Sequence, residues 1–250
     1  MKVRVYLDHG VGPFSFKQTI QELHAELGSS VTIHSINHRQ FLEEDWEIET
    51  SLLVFPGGRD VPYHIYLQGS ANERIRNYVR QGGTYLGFCA GAYYGCAFVE
   101  FDKGYPLEVC GARELAFFPG KAVGPAYGGN TFCYESEKGS KAARIQWFGA
   151  GHKNEYFSLY YNGGCYFEEA EKHSNIKILG RYADLEESPA AIIECQLEKG
   201  KAILCGVHPE YGASILNPFN PYSRKILFDL QSNEERRQLF WRQLLKHAVA

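Results

Sequence analysis

The sequence predicts an α/β protein: a doubly wound, mostly parallel sheet with an added antiparallel β region in its second half. Three observations carry this expectation. Short β-prone runs alternate with helical stretches over the first hundred residues, the pattern of a parallel sheet covered by helices. Ser51-Leu52-Leu53-Val54-Phe55 is a continuous apolar run, as a central strand covered on both faces requires. Phe98 to Gly151 is rich in glycine, proline and aromatics with short apolar runs, and short strands with a tight-turn signal follow it.

Lys2 to Leu7 alternates and reads as the first strand, ending in the loop Asp8-His9-Gly10-Val11-Gly12-Pro13. Ser15 can cap a helix from Phe16 to about Leu27, with Ile20, Leu23 and Leu27 on one face. Val31 to Ile36 is a second strand, and His38 to Glu44 a short helix or turn. The apolar run to Phe55 closes in Pro56-Gly57-Gly58, where two glycines let the backbone turn its N–H groups into a cavity. Asn72 to Gln81 is helical, with Ile75, Tyr78 and Val79 inward, and Thr84 to Phe88 is the next strand. Ala92 to Phe98 can start a helix. Arg144 to Phe148 and Tyr156 to Tyr161 read as antiparallel strands. Asn162-Gly163-Gly164 signals a hairpin between Leu159-Tyr160-Tyr161 and Cys165-Tyr166-Phe167. Ile176 to Tyr182, Ala190 to Cys195 and Lys201 to Val207 are strands, the last two paired across Glu198-Lys199-Gly200. Glu234 to Ala248 is a final amphipathic helix, with Leu239, Phe240, Leu244 and Leu245 apolar. With no internal repeat or low-complexity linker, residues 1–250 are expected to form a single domain.

Apolar residues make up 44% of the chain and charged residues 22%, and the net charge is −3, which gives no reason to expect nucleic acid or an anionic membrane as partner. No apolar run approaches membrane-spanning length, and Asp8 breaks the N-terminal run too early for a signal peptide. The seven cysteines (89, 96, 110, 133, 165, 195 and 205) are odd in number and scattered, without Cys-x-x-Cys. Neither a disulfide framework nor a metal site is expected, and a reducing cytoplasm suits a free thiol.

Two motifs carry chemistry. Gly87-Phe88-Cys89-Ala90-Gly91 comes after a strand and opens a helix, a nucleophile elbow with cysteine in the serine position. The sharp turn lifts the thiol clear of the sheet and places it at a helix N-terminus, where the dipole favours thiolate. The run Lys201 to Val207 ends in His208-Pro209-Glu210. His208 is placed to act as general base, and Glu210 can turn back to bind the far ring nitrogen. Both motifs come directly after strands, so the fold is expected to bring Cys89 and His208 to one sheet edge, beside Pro56-Gly57-Gly58. Attack of Cys89 on a carbonyl would build an oxyanion held by the Ala90 N–H and by that of Gly57 or Gly58.

These three stretches, in this order, resemble the class I glutamine amidotransferase-like superfamily along most of the chain. The resemblance implies a three-layer flavodoxin-like core, a Cys89-His208-Glu210 triad and an oxyanion hole near Gly58 and Ala90. A narrower resemblance is to the N-terminal domain of fungal-type biotin-protein ligases and its stand-alone bacterial relatives. It rests on Val54 to Tyr63, Tyr85 to Gly95, Arg113-Glu114-Leu115-Ala116-Phe117-Phe118-Pro119-Gly120 and Tyr161-Asn162-Gly163-Gly164. Asp60, Tyr63, Tyr93 and Tyr94 flank the oxyanion loop and the elbow, Arg113 and Glu114 precede an aromatic pair, and Tyr127, Gly128, Asn162, Gly163 and Gly164 are candidate lid residues. These are the candidate substrate contacts. There is no Gly-Arg-Gly-Arg run of the kind an adenylate-binding loop carries, so the chain is not expected to ligate biotin itself. The resemblance implies a small amide as substrate or ligand, no cofactor, and a biotin-protein ligase or another acceptor protein as candidate partner. Three activities stand as expectations: a Cys-dependent amide hydrolase or amidotransferase, a non-catalytic ligand-binding or regulatory module, and an intracellular cysteine peptidase.

Overall fold

The computed structural model describes residues 1–148 and 155–250. The first half alternates β1 (Lys2–Tyr6), α1 (Pro13–Leu27), β2 (Thr32–Ile36), α2 (His38–Glu43), β3 (Thr50–Phe55), α3 (Asp60–Leu67), α4 (Ser70–Arg80), β4 (Thr84–Phe88) and α5 (Ala90–Tyr94). Strands dominate the second half: β5 (Cys96–Phe101), β6 (Val109–Ala112), β7 (Phe118–Gly124), β8 (Lys141–Trp147), β9 (Glu155–Tyr161), β10 (Tyr166–Phe167), β11 (Ile176–Tyr182), β12 (Ala190–Leu197) and β13 (Gly200–Cys205). The helices α6 (Ser223–Ser232) and α7 (Glu234–Val249) close the chain.

The central sheet runs β2-β1-β3-β4-β13 and every neighbouring pair in it is parallel. β12 then pairs antiparallel with β13, and the sheet continues through β10, β7, β5 and β6, with a β11-β8-β9 branch from β12. Successive side chains of one strand feed opposite faces. Leu52 and Val54 pack with Leu23 of α1 and Phe240, Trp241 and Leu244 of α7, whereas Leu53 and Phe55 pack with Tyr63, Leu67 and Ile75 of α3 and α4. Leu52 to Phe55 are fully buried, which is why this strand needs an unbroken apolar run. The layers are therefore helix, sheet, helix, with the antiparallel strands extending the sheet on one side.

Several local expectations are corrected. Ser15 is not a cap: Gly12 is the N-cap of α1 and Pro13 starts the helix. The helix after the elbow stops at Tyr94, and Cys96 to Phe98 belong to β5, where Val99 and Phe101 are buried at the strand period and a register shift between Cys96 and Phe98 lets Cys96 be buried as well. Asn162-Gly163-Gly164 does not close a hairpin. β9 pairs with β8, while β10 pairs with β12 and β7. A Cβ on Gly164 would sit 1.8 Å from the Gly206 carbonyl oxygen, so the glycines serve a close backbone crossing beneath the end of β13. Leu239 is exposed, and Trp241 takes the buried position on α7.

Candidate functional site

The site lies at the carboxyl ends of β3, β4 and β13, where an open parallel sheet leaves a crevice. β4 and β13 are neighbours in register, Phe88 opposite Cys205, so the residues just past them emerge side by side. Cys89 is the N-cap of α5 with φ 46° and ψ −103°, a conformation that only a tightly constrained non-glycine residue adopts. The constraint is steric and hydrogen-bonded. The Cys89 N–H donates to the Cys205 carbonyl (2.9 Å), and its own carbonyl accepts from Ala92 and Tyr93. A Cβ on Gly91 would lie 2.2 Å from the Phe55 carbonyl oxygen, and one on Gly87 2.5 Å from that of Gly91.

His208 is fixed by its neighbours on the other strand end. Its N–H donates to the Tyr160 carbonyl (2.8 Å), and its ring lies 4.5 Å from the ring of Tyr211. Nδ1 is 2.8 Å from Glu210 Oε1, and the Cys89 side chain stands close enough to the same ring to favour its protonated form. Cys89 and His208 thus line one cleft, with Glu210 buried behind the ring. Burial alone would lower the imidazole, but the Glu210 carboxylate and the Cys89 side chain outweigh it and push His208 up to about 10. Glu210 is wholly buried, and its second oxygen has no hydrogen-bond partner among the described residues. Its charge is therefore answered chiefly by the imidazolium.

This arrangement gives a pH prediction. The folded value of His208 lies above its ordinary 6.5, so its stabilising contribution is complete below about 6.5 and drains away as pH rises towards about 10. Glu210→Gln removes the charge that sustains the shift. The melting temperature of wild type relative to Glu210→Gln is expected to fall between pH 6.5 and 10. A difference that stays flat across this window in thermal melts would contradict the pairing.

The Pro56-Gly57-Gly58 loop, expected to supply an oxyanion hole, has only part of its N–H groups free. The Gly57 N–H donates to Ser15 Oγ (2.9 Å), and Tyr211 lines the same cleft as Ser15. Among the described residues the N–H groups of Gly58 and Ala90 have no acceptor, which leaves these two as the available donors beside the thiol. Ser15, expected as a helix cap, braces this loop instead.

The thiol opens on a cleft of about 970 Å³, lined among others by Ser15, Gly57, Cys89, Asn162, His208 and Tyr211. Behind it lies a compartment of about 20 Å³, walled by Asp60, Tyr93, Phe101, Phe132, Tyr134 and Gly163. Asn162 and Gly163 thus lie beside the thiol, and the Asn162 carbonyl is 3.8 Å from Cys89 Sγ. Tyr93 donates to the Gly163 carbonyl (3.1 Å). Asp60 accepts from Arg113 at 2.7 and 2.8 Å; burial pushes its carboxyl up, and the guanidinium offsets that in part.

The remaining candidates stand away from the openings among the described residues. Tyr63 donates to the Pro56 carbonyl, Tyr94 bonds Asn72 Oδ1, and Glu114 accepts from Gly69 N–H and Asn72. These bonds hold the oxyanion loop, α4 and α5 together. Tyr127 donates to Asp184 and packs on Tyr161. Sequence reasoning missed Phe132, Tyr134, Tyr160 and Tyr211, none of which sits in a motif that carries chemistry by itself. Arg59, whose guanidinium lies 4.2 Å from the Tyr134 ring centre and 2.8 Å from Glu135, ties the 132–137 segment across the cleft.

Comparison with known proteins supplies the family. The model of the biotin-protein ligase N-terminal family matches residues 1–249. An uncharacterized protein of Chlamydia muridarum is 44% identical over 212 residues, 84% of this chain and 80% of that one. A biotin–protein ligase of Schizosaccharomyces pombe is 37% identical over 215 residues, 85% of this chain. The match takes up 34% of that ligase, so this chain corresponds to about a third of it. Among solved structures, PurLQS of Thermotoga maritima superposes with a TM-score of 0.54 at 13% identity, covering 93% of this chain and 97% of that one. That likeness bears on the fold alone and agrees with a three-layer, mostly parallel α/β architecture. With a match that runs almost from end to end, and with relatives at this level of identity, the chain belongs to the biotin-protein ligase N-terminal family.

Proposed function

We propose that the site is a Cys-His-Glu acyl-transfer centre that hydrolyses a small amide, or passes its acyl or amine part to an acceptor, through a thioester on Cys89. The observation that supports this reading is the position of the His208 ring. It is bonded to Glu210 and lines the same cleft as Cys89, with the free Gly58 and Ala90 amides next to the sulfur.

The reaction begins from the pair in which the thiol proton already sits on the imidazole, and the sulfur lone pair forms the C–S bond while the carbonyl π pair moves to oxygen. The two free amides receive that oxyanion. The imidazolium, kept protonated by Glu210, delivers its proton to the amide nitrogen as the C–N bond breaks. Water, deprotonated by the neutral ring, attacks the thioester, and the C–S bond breaks to regenerate the thiol. Glu210 keeps the ring oriented and stabilises its charge throughout.

The whole chain would act as one domain. The matching S. pombe ligase suggests a biotin-protein ligase as the protein it works with. A reducing cytoplasm would keep its seven free thiols available. The direct test is intact-mass analysis of protein mixed with candidate primary amides at low pH quench. The expected result is an acyl adduct on Cys89, cleaved by hydroxylamine, with release of ammonia. Ligand-induced thermal stabilisation that survives Cys89→Ala, with no adduct and no ammonia, would replace this reading by a binding module.

A further inference from the structure

The acid–base segment is held from behind by a buried arginine on the last helix. Arg237 lies on α7 and its side chain is only 4% exposed. Its Nη1 donates to the Pro209 carbonyl at 2.7 Å and to Glu22 Oε2 of α1 at 3.1 Å. Nη2 donates to Glu234 Oε1 at 2.7 Å, and Nε shares the same carboxylate. The other oxygen of Glu234 accepts the Ala213 N–H at 3.1 Å. The stretch from 209 to 213 is thus gripped at both ends, at Pro209 by Arg237 and at Ala213 by the carboxylate that Arg237 holds.

Pro209 is the residue between His208 and Glu210, so its carbonyl reports the backbone angle on which their 2.8 Å contact depends. The peptide that carries this carbonyl has the Glu210 N–H as its donor, and among the described residues that N–H has no acceptor, while the peptide before it, closed on the proline nitrogen, has no N–H at all. The carbonyl is the remaining handle. An arginine suits the task because its planar fork can serve two carboxylates and a carbonyl at once, which a lysine ammonium cannot do in fixed geometry.

We propose that Arg237 is a positioning residue for the His208–Glu210 pair, coupling the C-terminal helix to the acid–base half of the site. The proposal rests on the acyl-transfer reading only for its consequence in turnover; the positioning itself can be read without any reaction. Arg237→Lys keeps the charge and loses the fork. Glu234→Gln, a gentler change, weakens the hold on the fork while keeping an oxygen for Ala213. Both variants would be tracked by the NMR titration of the His208 ring and by the pH profile of iodoacetamide capture at Cys89.

Arg237→Lys is expected to move the His208 titration downward and to slow Cys89 capture near neutral pH by roughly tenfold, since small misplacements of a catalytic group carry large rate costs. Glu234→Gln is expected to do the same to a smaller extent. If Arg237→Lys does not fold, Glu234→Gln decides. A folded variant of either kind with an unchanged His208 titration and an unchanged capture profile would overturn the proposal. A wild-type protein that binds or forms no acyl group would count against the acyl-transfer reading and leave the titration result standing.

Discussion

Cys89→Gly is expected to abolish turnover and yet to give a more stable protein than Cys89→Ala. On the proposed acyl-transfer reading the activity loss should be large, about 10⁴-fold or more, because residues acting as a unit lose nearly everything with one member and nothing else among the described residues offers a nucleophile at that point. Alanine and glycine should be equally inactive. They differ in what they ask of the backbone. At φ 46° and ψ −103° a Cβ costs about 1–3 kcal/mol, whereas glycine in an ordinary position costs about 0.5–1 kcal/mol relative to alanine. The strain wins, and the glycine variant should be the more stable by about 1 kcal/mol, a rise of roughly 2–4 °C in melting temperature for a chain of this size. Differential scanning calorimetry of the two variants checks this. An alanine variant equal to or more stable than the glycine variant would mean that the elbow stores no strain.

The second large effect is on stability. Gly91→Ala would place a methyl 2.2 Å from the Phe55 carbonyl oxygen and 2.8 Å from the Phe55 Cβ. Both belong to the fully buried end of β3, where neighbours cannot yield. The expected cost is about 3 kcal/mol, the upper part of the range for overpacking, or roughly 6–12 °C in melting temperature. Relief of the clash would push α5 away from β3, so the elbow should lose its geometry as well. Cys89 capture by iodoacetamide should therefore slow in the fraction that remains folded. A Gly91→Ala protein that melts within a degree or two of wild type would show that the strand–helix contact is looser than these distances require.

The parallel half of the fold was legible because its strands are short, apolar and punctuated. The run at 51–55 and the doublet Gly57-Gly58 mark the end of β3, and the Gly-x-Cys-x-Gly spacing marks the end of β4. The meeting of Cys89 with His208 was also legible, because residues just past parallel neighbours share an edge. The antiparallel half was less so. Asn162-Gly163-Gly164 carries the local signal of a hairpin, yet β9 turns to β8 and the glycines serve the crossing under Gly206. Glycine permits both outcomes, and only tertiary contacts choose between them. α3 and α6 carry little sequence signal, since α3 begins on the oxyanion loop with a proline in its first turn and α6 presents Phe228 to solvent. Arg237 is one of four charged residues in the first turn of α7, and nothing local distinguishes it from its exposed neighbours.

β13, although it is the last strand of the chain, lies between β4 and β12 in the middle of the sheet. As the polypeptide emerges from synthesis, the flank of β4, complete at Phe88, must wait open until β13, which begins at Gly200, has been made. Such a vacancy invites pairing with another chain, and long-range parallel closure is slow. The same delay means that Cys89 meets its partner histidine only at the final insertion step. Incomplete chains therefore carry the thiol without the base, and reactivity would arise together with the finished core.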